Sequence, residues 1–225
     1  MVPLLLGIGF DRHRAHATSI AAILPIAIAG AASFGASGAI DIGVGVTVGI
    51  GGVLGSTIGA QVMHRSSPRT LTIVFNVVLI LAAVRMIFGG GTLAGGWAGG
   101  SWMIILAFAI GVAAGFFAGL SGVGGGVIMV PAFVLILGLT QHAAQGTSLL
   151  AIIFTSVAAT LVNLRNRRLQ IKDGLVVGLA GVAGSILGAR IALGIPARTL
   201  SIVFGVLALL VAGQSLLRLL RTHES

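Results

Sequence analysis

The chain is a succession of long apolar runs that carry almost no charge. Ala17–Ala36, Ile42–Met63, Thr70–Phe88, Trp102–Leu120, Gly146–Leu164, Gly174–Leu193 and Thr199–Leu220 each approach or reach the ~18–20 residues that cross a bilayer. Val2–Phe10 and Val123–Leu139 are shorter runs of the same kind. Charged residues make up 8% of the chain, against ~25% in a soluble domain. The expected fold is therefore all-α, a polytopic integral membrane protein with about 8–9 transmembrane helices. The net charge of +9 does not indicate nucleic acid, because the bases lie in short loops between apolar runs rather than on one solvated face. The lipid bilayer is the expected partner. The absence of cysteine excludes disulfides, thiolate metal sites and cysteine nucleophiles. Met1–Phe10 has neither a basic start nor a small-residue cleavage site, so no signal peptide is expected there.

The runs are duplicated. A shift of 129 residues places Gly9 on Gly138, His13 on His142 and Thr18-Ser19 on Thr147-Ser148. It also places Gly52-Val53 on Gly181-Val182, Gly55-Ser56 on Gly184-Ser185, and Arg69-Thr70-Leu71 on Arg198-Thr199-Leu200. Roughly a third of the positions from Gly9 to Met86 match, with the polar and glycine matches clustered. The expected division is a first transmembrane repeat over 1–88, a glycine-rich linker over 89–101 holding Trp97, a second repeat over 102–220 and a polar tail over 221–225. The second repeat opens with Trp102–Leu120 and a glycine cluster. The first begins at the counterpart of Met129 and so lacks about 28 residues of that plan, through a start placed too far downstream or through natural variation.

If Trp102–Leu120 and Val123–Leu139 both span, a full repeat has an odd number of spans and the second half is inverted. Ten of the thirteen Lys and Arg residues then fall on one side, leaving Arg85, Arg190 and Arg198 near the other. Reading those two segments as one span divides the charges almost evenly. The positive-inside bias favours inverted repeats in the cell (inner) membrane, with the C-terminus cytoplasmic. Secondary transporters are commonly built this way, with substrate held near the midplane.

The glycine cluster Gly119-Leu120-Ser121-Gly122-Val123-Gly124-Gly125-Gly126 reads either as a tight turn or as a helix break. Irregular backbone at membrane depth persists only where protein or a water-filled cavity satisfies it. A break at Gly122, Gly124, Gly125 and Gly126 would offer free N–H groups and a positive helix end to an anion, with Ser121 adding a hydroxyl. Thr147-Ser148 and Thr18-Ser19 open apolar runs in both repeats and read as helix caps or as polar site residues. His142 and His13 stand just before them, as interfacial side chains or as proton carriers. Arg190 reads as snorkelling to the outer interface. Gly51-x3-Gly55-x3-Gly59 and Ala180-x3-Gly184-x3-Gly188 are stripes that let helix backbones approach closely, a feature compatible with a homodimer. The only acids are Asp11, Asp41, Asp173 and Glu224, in or beside loops or the tail, which disfavours a cation or metal pathway. No Walker A, His-Glu-x-x-His or Gly-x-Ser-x-Gly pattern is present, so no enzyme and no cofactor are expected.

The string Ala118-Gly119-Leu120-Ser121-Gly122-Val123-Gly124-Gly125-Gly126, followed by Val130-Pro131, His142 and Gly146-Thr147-Ser148-Leu149, resembles the sulfite exporter TauE/SafE family of membrane permeases. The likeness extends over the whole chain, with the first-repeat match resting on Val2-Pro3, His13 and Thr18-Ser19; the first glycine loop of the family pattern is absent. The resemblance implies transport of small sulfur-containing anions and related organic acids. The expected substrate-binding set is Ser121, Gly122, Gly124, Gly125, Gly126, Pro131, His142, Thr147, Ser148, Thr18 and Ser19, working by alternating access. The competing expectation is a non-transporting or truncated helical membrane module that serves as an assembly partner.

Overall fold

The computed structural model describes residues 7, 9, 11–62, 68–89, 101–121, 125–165 and 171–221. The run Val2–Phe10 lies largely outside these, as do most of the glycine-rich linker, including Trp97, and Gly122 and Gly124. Among the described residues the chain forms eight helices: α1 (Arg12–Ala36), α2 (Ile42–Val62), α3 (Pro68–Phe88), α4 (Ser101–Ser121), α5 (Gly126–Leu135), α6 (Gln141–Arg165), α7 (Ile171–Gly194) and α8 (Ala197–Arg221). The 129-residue shift carries the first residue of α1 onto that of α6, α2 onto α7, and α3 onto α8. It also carries Gly9 (φ 97°) onto Gly138 (φ 72°), two turns that require the left-handed region.

Local chemistry sets the helix ends. Asp11 caps α1 by accepting from the Arg14 N–H at 2.9 Å. The helix closes with Gly38 at positive φ and the Ala39 N–H bonded back to the Phe34 carbonyl. Asp41 caps α2 through the Val44 N–H at 3.0 Å.

The packing is the reverse of a soluble core. Alanines fill the contacts between helices, with Ala22, Ala83, Ala107, Ala114, Ala144, Ala151 and Ala212 fully buried. Large aliphatic side chains such as Leu81, Leu161, Leu179 and Leu210 stand outside, more than half exposed. Small residues at helix contacts and large ones outward is the arrangement a bilayer rewards, since lipid solvates leucine as well as protein does. Among the described residues, four helical segments are long and apolar enough to cross a membrane: Ala17–Ala36, Gln141–Arg165, Lys172–Gly194 and Ala197–Leu217. The apolar stretches Ile42–Ile58, Ile73–Phe88 and Trp102–Phe117 are shorter.

The crossings come in matched pairs. α1 and α6 run antiparallel, with Phe34 against Gly146 at one end and Ala17 packed against Leu164 at the other. α3 and α8 are also antiparallel, with Asn76 donating to Ser215 Oγ at 3.1 Å and Gly205 seated on Ala83 and Ile87. α2 packs on α6 through Gly45 against Leu150 and Gly49 against Phe154. The shift turns these into Gly174 against Ala21 and Gly178 against Pro25, which are the contacts between α7 and α1. The α2–α4 pair is the closest approach of all. Gly51 and Gly55 meet the backbone of Phe108 and Val112, while Gly111 and Gly115 meet the backbone of Val48 and Gly52.

Candidate functional site

Gly125 and Gly126 sit inside the bundle. α4 ends at Ser121 and α5 starts at Gly126. A Cβ on Gly126 would lie 3.1 Å from Ile152 Cδ1, and one on Gly125 would lie 3.0 Å from Met129 Cε and 3.4 Å from the Ala114 carbonyl. Ile152 is in the middle of α6, so the break is level with the centre of the neighbouring helix. α5 itself has 10 residues, about 15 Å of helix or half of a ~30 Å hydrocarbon layer. Among its described residues, the apolar run Val123–Leu139 is helical over Gly126–Leu135 and stops short of the turn at Gly138. Ile128 and Met129 both donate to the Gly125 carbonyl, at 3.1 and 3.0 Å. The N–H groups of Gly126 and Val127 come before the first acceptor within α5, so that helix holds no carbonyl for them. Pro131, buried in the second turn, removes another donor from the same short helix.

The other expected site residues take three different places. Thr147 is fully buried, and its Oγ1 accepts the Asp41 N–H at 2.9 Å. Next to it, Gly146 has no room for a Cβ against Phe34, Ala39 and Ile40. Gly146-Thr147 therefore clasps the α1–α2 connection onto α6, and Ser148 turns its hydroxyl back to the Gln145 carbonyl at 2.8 Å. His142 Nε2 lies 3.1 Å from the Ala192 carbonyl and 3.0 Å from that of Ile195. Both neighbours are acceptors, so this nitrogen carries the proton and ties the start of α6 to the end of α7. Thr18 is fully buried and Ser19 half-buried at the start of α1. Because Ala17 is level with Leu164, Thr18 stands roughly 25 Å along α6 from Thr147 at ~1.5 Å per residue. The two Thr-Ser pairs occupy opposite ends of the bundle, with the glycine break between those levels. The side chains of Ser121 and His13 are outside the described residues.

Four features were not anticipated from sequence. Arg198 donates to the Met86, Ile87 and Gly89 carbonyls at 3.1, 2.7 and 3.2 Å, closing the C-terminal end of α3. Arg14 and Asp173 pair at 2.8 Å between the first turns of α1 and α7. Ser185 Oγ donates to the Ile26 carbonyl at 2.8 Å, one residue after Pro25 interrupts the α1 ladder. Gln141 is 3% exposed, and neither polar atom of its amide has a partner among the described residues. The repeat offered a signal for Arg198, as the counterpart of Arg69, and for Ser185, as the counterpart of Ser56. Arg14, Asp173 and Gln141 are unmatched between the halves.

The acids have structural engagements: Asp11 and Asp41 at helix starts, Asp173 with Arg14. Among the described residues no group of three His, Cys, Asp or Glu side chains gathers as a metal site.

The model of the sulfite exporter TauE/SafE family matches residues 1–86 and 107–225, which takes in both halves of the duplication. The chain belongs to this family. Among curated proteins it is 30% identical over 115 residues to the probable membrane transporter protein YunE of Bacillus subtilis, covering 48% of this chain and 42% of that one. It is 34% identical over 95 residues to the probable membrane transporter protein YdhB of the same organism, covering 42% of this chain and 37% of that one. A third relative, the probable membrane transporter protein ORF9 of a Sinorhizobium species, is 35% identical over 99 residues, 44% of this chain and 37% of its own. The chain thus spans less than half the length of the curated relatives it matches. No solved structure matches it. The family and its relatives are named for membrane transport and not for an enzymatic reaction.

Proposed function

We propose that this protein is a secondary permease or exporter in the cell membrane that moves a small organic or sulfur-containing anion, such as sulfite or a sulfonate, by alternating access. The observation that carries the reading is the break at Gly125–Gly126, level with the middle of α6 and opening the half-length helix α5. A helix that starts at such a depth presents its unbonded N–H groups and the positive end of its dipole where water is scarce. An anion is the ligand that satisfies both. Gly122, Gly124, Gly125 and Gly126 would cradle it, with Ser121 at the end of α4. Thr147 and Ser148, His142 and Pro131 frame the path toward one face, and Thr18 and Ser19 the path toward the other.

The two halves act as inverted repeats that rock against each other. Antiparallel α1/α6 and α3/α8, and the α2–α6 contacts recurring between α7 and α1, support that plan. Counting the half-length α5 as one and the run Val2–Phe10 as another, about 8–9 helices engage the bilayer, with the C-terminus cytoplasmic by the positive-inside rule. Driving force comes from the proton gradient or the membrane potential.

The test is flux in proteoliposomes loaded with sulfite, short sulfonates and carboxylates, comparing the wild type with Gly125→Leu. Wild-type flux of at least one sulfur anion and its loss in Gly125→Leu are expected, while Gly125→Ala, whose tightest contact is the flexible end of Met129 at 3.0 Å, retains part of it. Equal flux in wild type and Gly125→Leu removes the break from the mechanism. A folded wild type that moves none of these anions removes the transport reading.

A further inference from the structure

The two halves of the duplication differ in what covers their glycine-striped helices. α2 and α7 hold equivalent positions, since each lays matching glycines (Gly45 and Gly49, Gly174 and Gly178) on the antiparallel α1/α6 pair. On its other side α2 is covered by α4, with a Cβ on Gly51 placed 2.6 Å from the Phe108 carbonyl oxygen and one on Gly55 overlapping the Val112 backbone. Contacts advance together along both helices, from Val48 with Gly111 to Gly52 with Gly115, so α2 and α4 run parallel. The counterparts of Gly51 and Gly55 on α7 are Ala180 and Gly184, followed by Gly188. Here a Cβ on Gly184 or Gly188 has no described atom within 4 Å, and the flanking Leu179 and Leu187 are 63% and 59% exposed. Among the described residues no helix takes on α7 the place that α4 takes on α2, and the glycine face of α4 is already engaged.

We propose that this face of α7 is the seat of one further membrane helix of α4's chemistry, distinct from α1–α8. It runs parallel to α7 and carries small residues at i and i+4, spaced as Gly111 and Gly115. Lipid tails gain nothing from a glycine groove, whereas a second backbone brought close gains dispersion contacts along its whole length. The α2–α4 pair shows that the duplicated stripe makes this contact when a partner of that kind is present. Of the four α4 residues that meet α2 there, Gly111 and Gly115 have no side chain, and Phe108 and Val112 make their contact through the backbone. A second copy's α7 would instead bring Leu179 and Leu187 against their own counterparts.

The lack of native cysteine allows a disulfide test with no background. The full chain bearing Ala180→Cys is co-expressed in membranes with a single-span probe. The probe has the α4 sequence Ser101–Ser121 with Val112→Cys, and arginines placed before it so that it inserts parallel to α7. Mild oxidation is expected to give a chain–probe disulfide at least tenfold above that from Leu207→Cys, an exposed site on α8. The yield is expected to fall at least fivefold when the chain also carries Gly184→Leu, or the probe Gly111→Leu and Gly115→Leu. A Cβ at Gly184 has no described atom within 4 Å, so Gly184→Leu reads docking and not folding. Three results overturn the proposal: no chain–probe product, equal yield at Ala180→Cys and Leu207→Cys, or a chain–chain disulfide that persists when the probe is in excess. The last result would give the face to a second copy.

Discussion

Glycine-to-alanine substitution at equivalent places in the two halves should change stability with opposite sign. At Gly55 the new methyl would overlap the backbone of Val112. No side-chain rotation relieves a backbone contact, so α2 and α4 must separate along the stripe. Overpacking costs ~1–3 kcal/mol, and a rigid obstacle places this site at about 3 kcal/mol. Against it stands the ~1 kcal/mol that alanine gains over glycine inside a helix. The net is a loss of about 2 kcal/mol, or about 4–8 °C at ~2–4 °C per kcal/mol for a chain of this size. At Gly184 no described atom lies within 4 Å of the added methyl, so only the propensity gain remains and the midpoint rises by up to about 4 °C. Both substitutions can be measured on a background carrying Ala107→Cys, a fully buried position, by following thiol labelling with a fluorogenic dye as detergent-solubilised protein is heated. Equal midpoints for the two variants, or a lower one for Gly184→Ala, would refute the assignment of Gly55 to a closed interface and Gly184 to an open one.

Further outcomes can be read from single contacts. Thr147→Val leaves the Asp41 N–H without its acceptor and should cost ~1–3 kcal/mol, while Thr147→Ser keeps the bond and most of the stability; the same labelling assay separates them. Arg198→Ala removes three charge-assisted bonds to the end of α3. Faster amide exchange confined to the last turn of that helix, with a loss of about 1–2 kcal/mol, is the expected result. Asp173→Asn should cost less than about 1 kcal/mol, because Arg14 is 40% exposed and its ion pair is screened. A loss above 2 kcal/mol in denaturant titration would contradict that.

Much of the architecture was legible because hydropathy and repetition act at the same scale as helices in a bilayer. The shift that aligned Thr18 with Thr147 also set the starts of α1 and α6, and Arg69-Thr70 with Arg198-Thr199 located α3 and α8. α5 was less legible. Leu135, Ile136 and Leu137 continue an apolar run without a break, and it is the turn at Gly138 that stops the helix short. The site was read by residue type, and residue type does not fix depth. Thr18 and Thr147 look alike in sequence but stand at opposite ends, since antiparallel α1 and α6 carry their starts to opposite faces. His142 was weighed as a free interfacial side chain, and its bonds to Ala192 and Ile195 come from a helix fifty residues away. No local pattern encodes such a contact.

The paired crossings keep one register but not one filling. Between α2 and α6 the glycines Gly45 and Gly49 receive Leu150 and Phe154, large side chains that act as spacers. Between α7 and α1 the glycines Gly174 and Gly178 receive Ala21 and Pro25, and Gly178 comes within 3.0 Å, measured from its notional Cβ, of the Ala22 carbonyl oxygen. Two identical halves that exchanged shapes would pass between mirror states of equal free energy, and the molecule would rest in neither. Here one crossing is wedged by an aromatic ring and the other is filled by a methyl group and a proline ring, so two such states would differ in energy before any ligand arrives. Under the proposed rocking of the two halves, this wedge sets a preferred resting face, and trimming Phe154 toward the size of its twin Pro25 is the change that would level it.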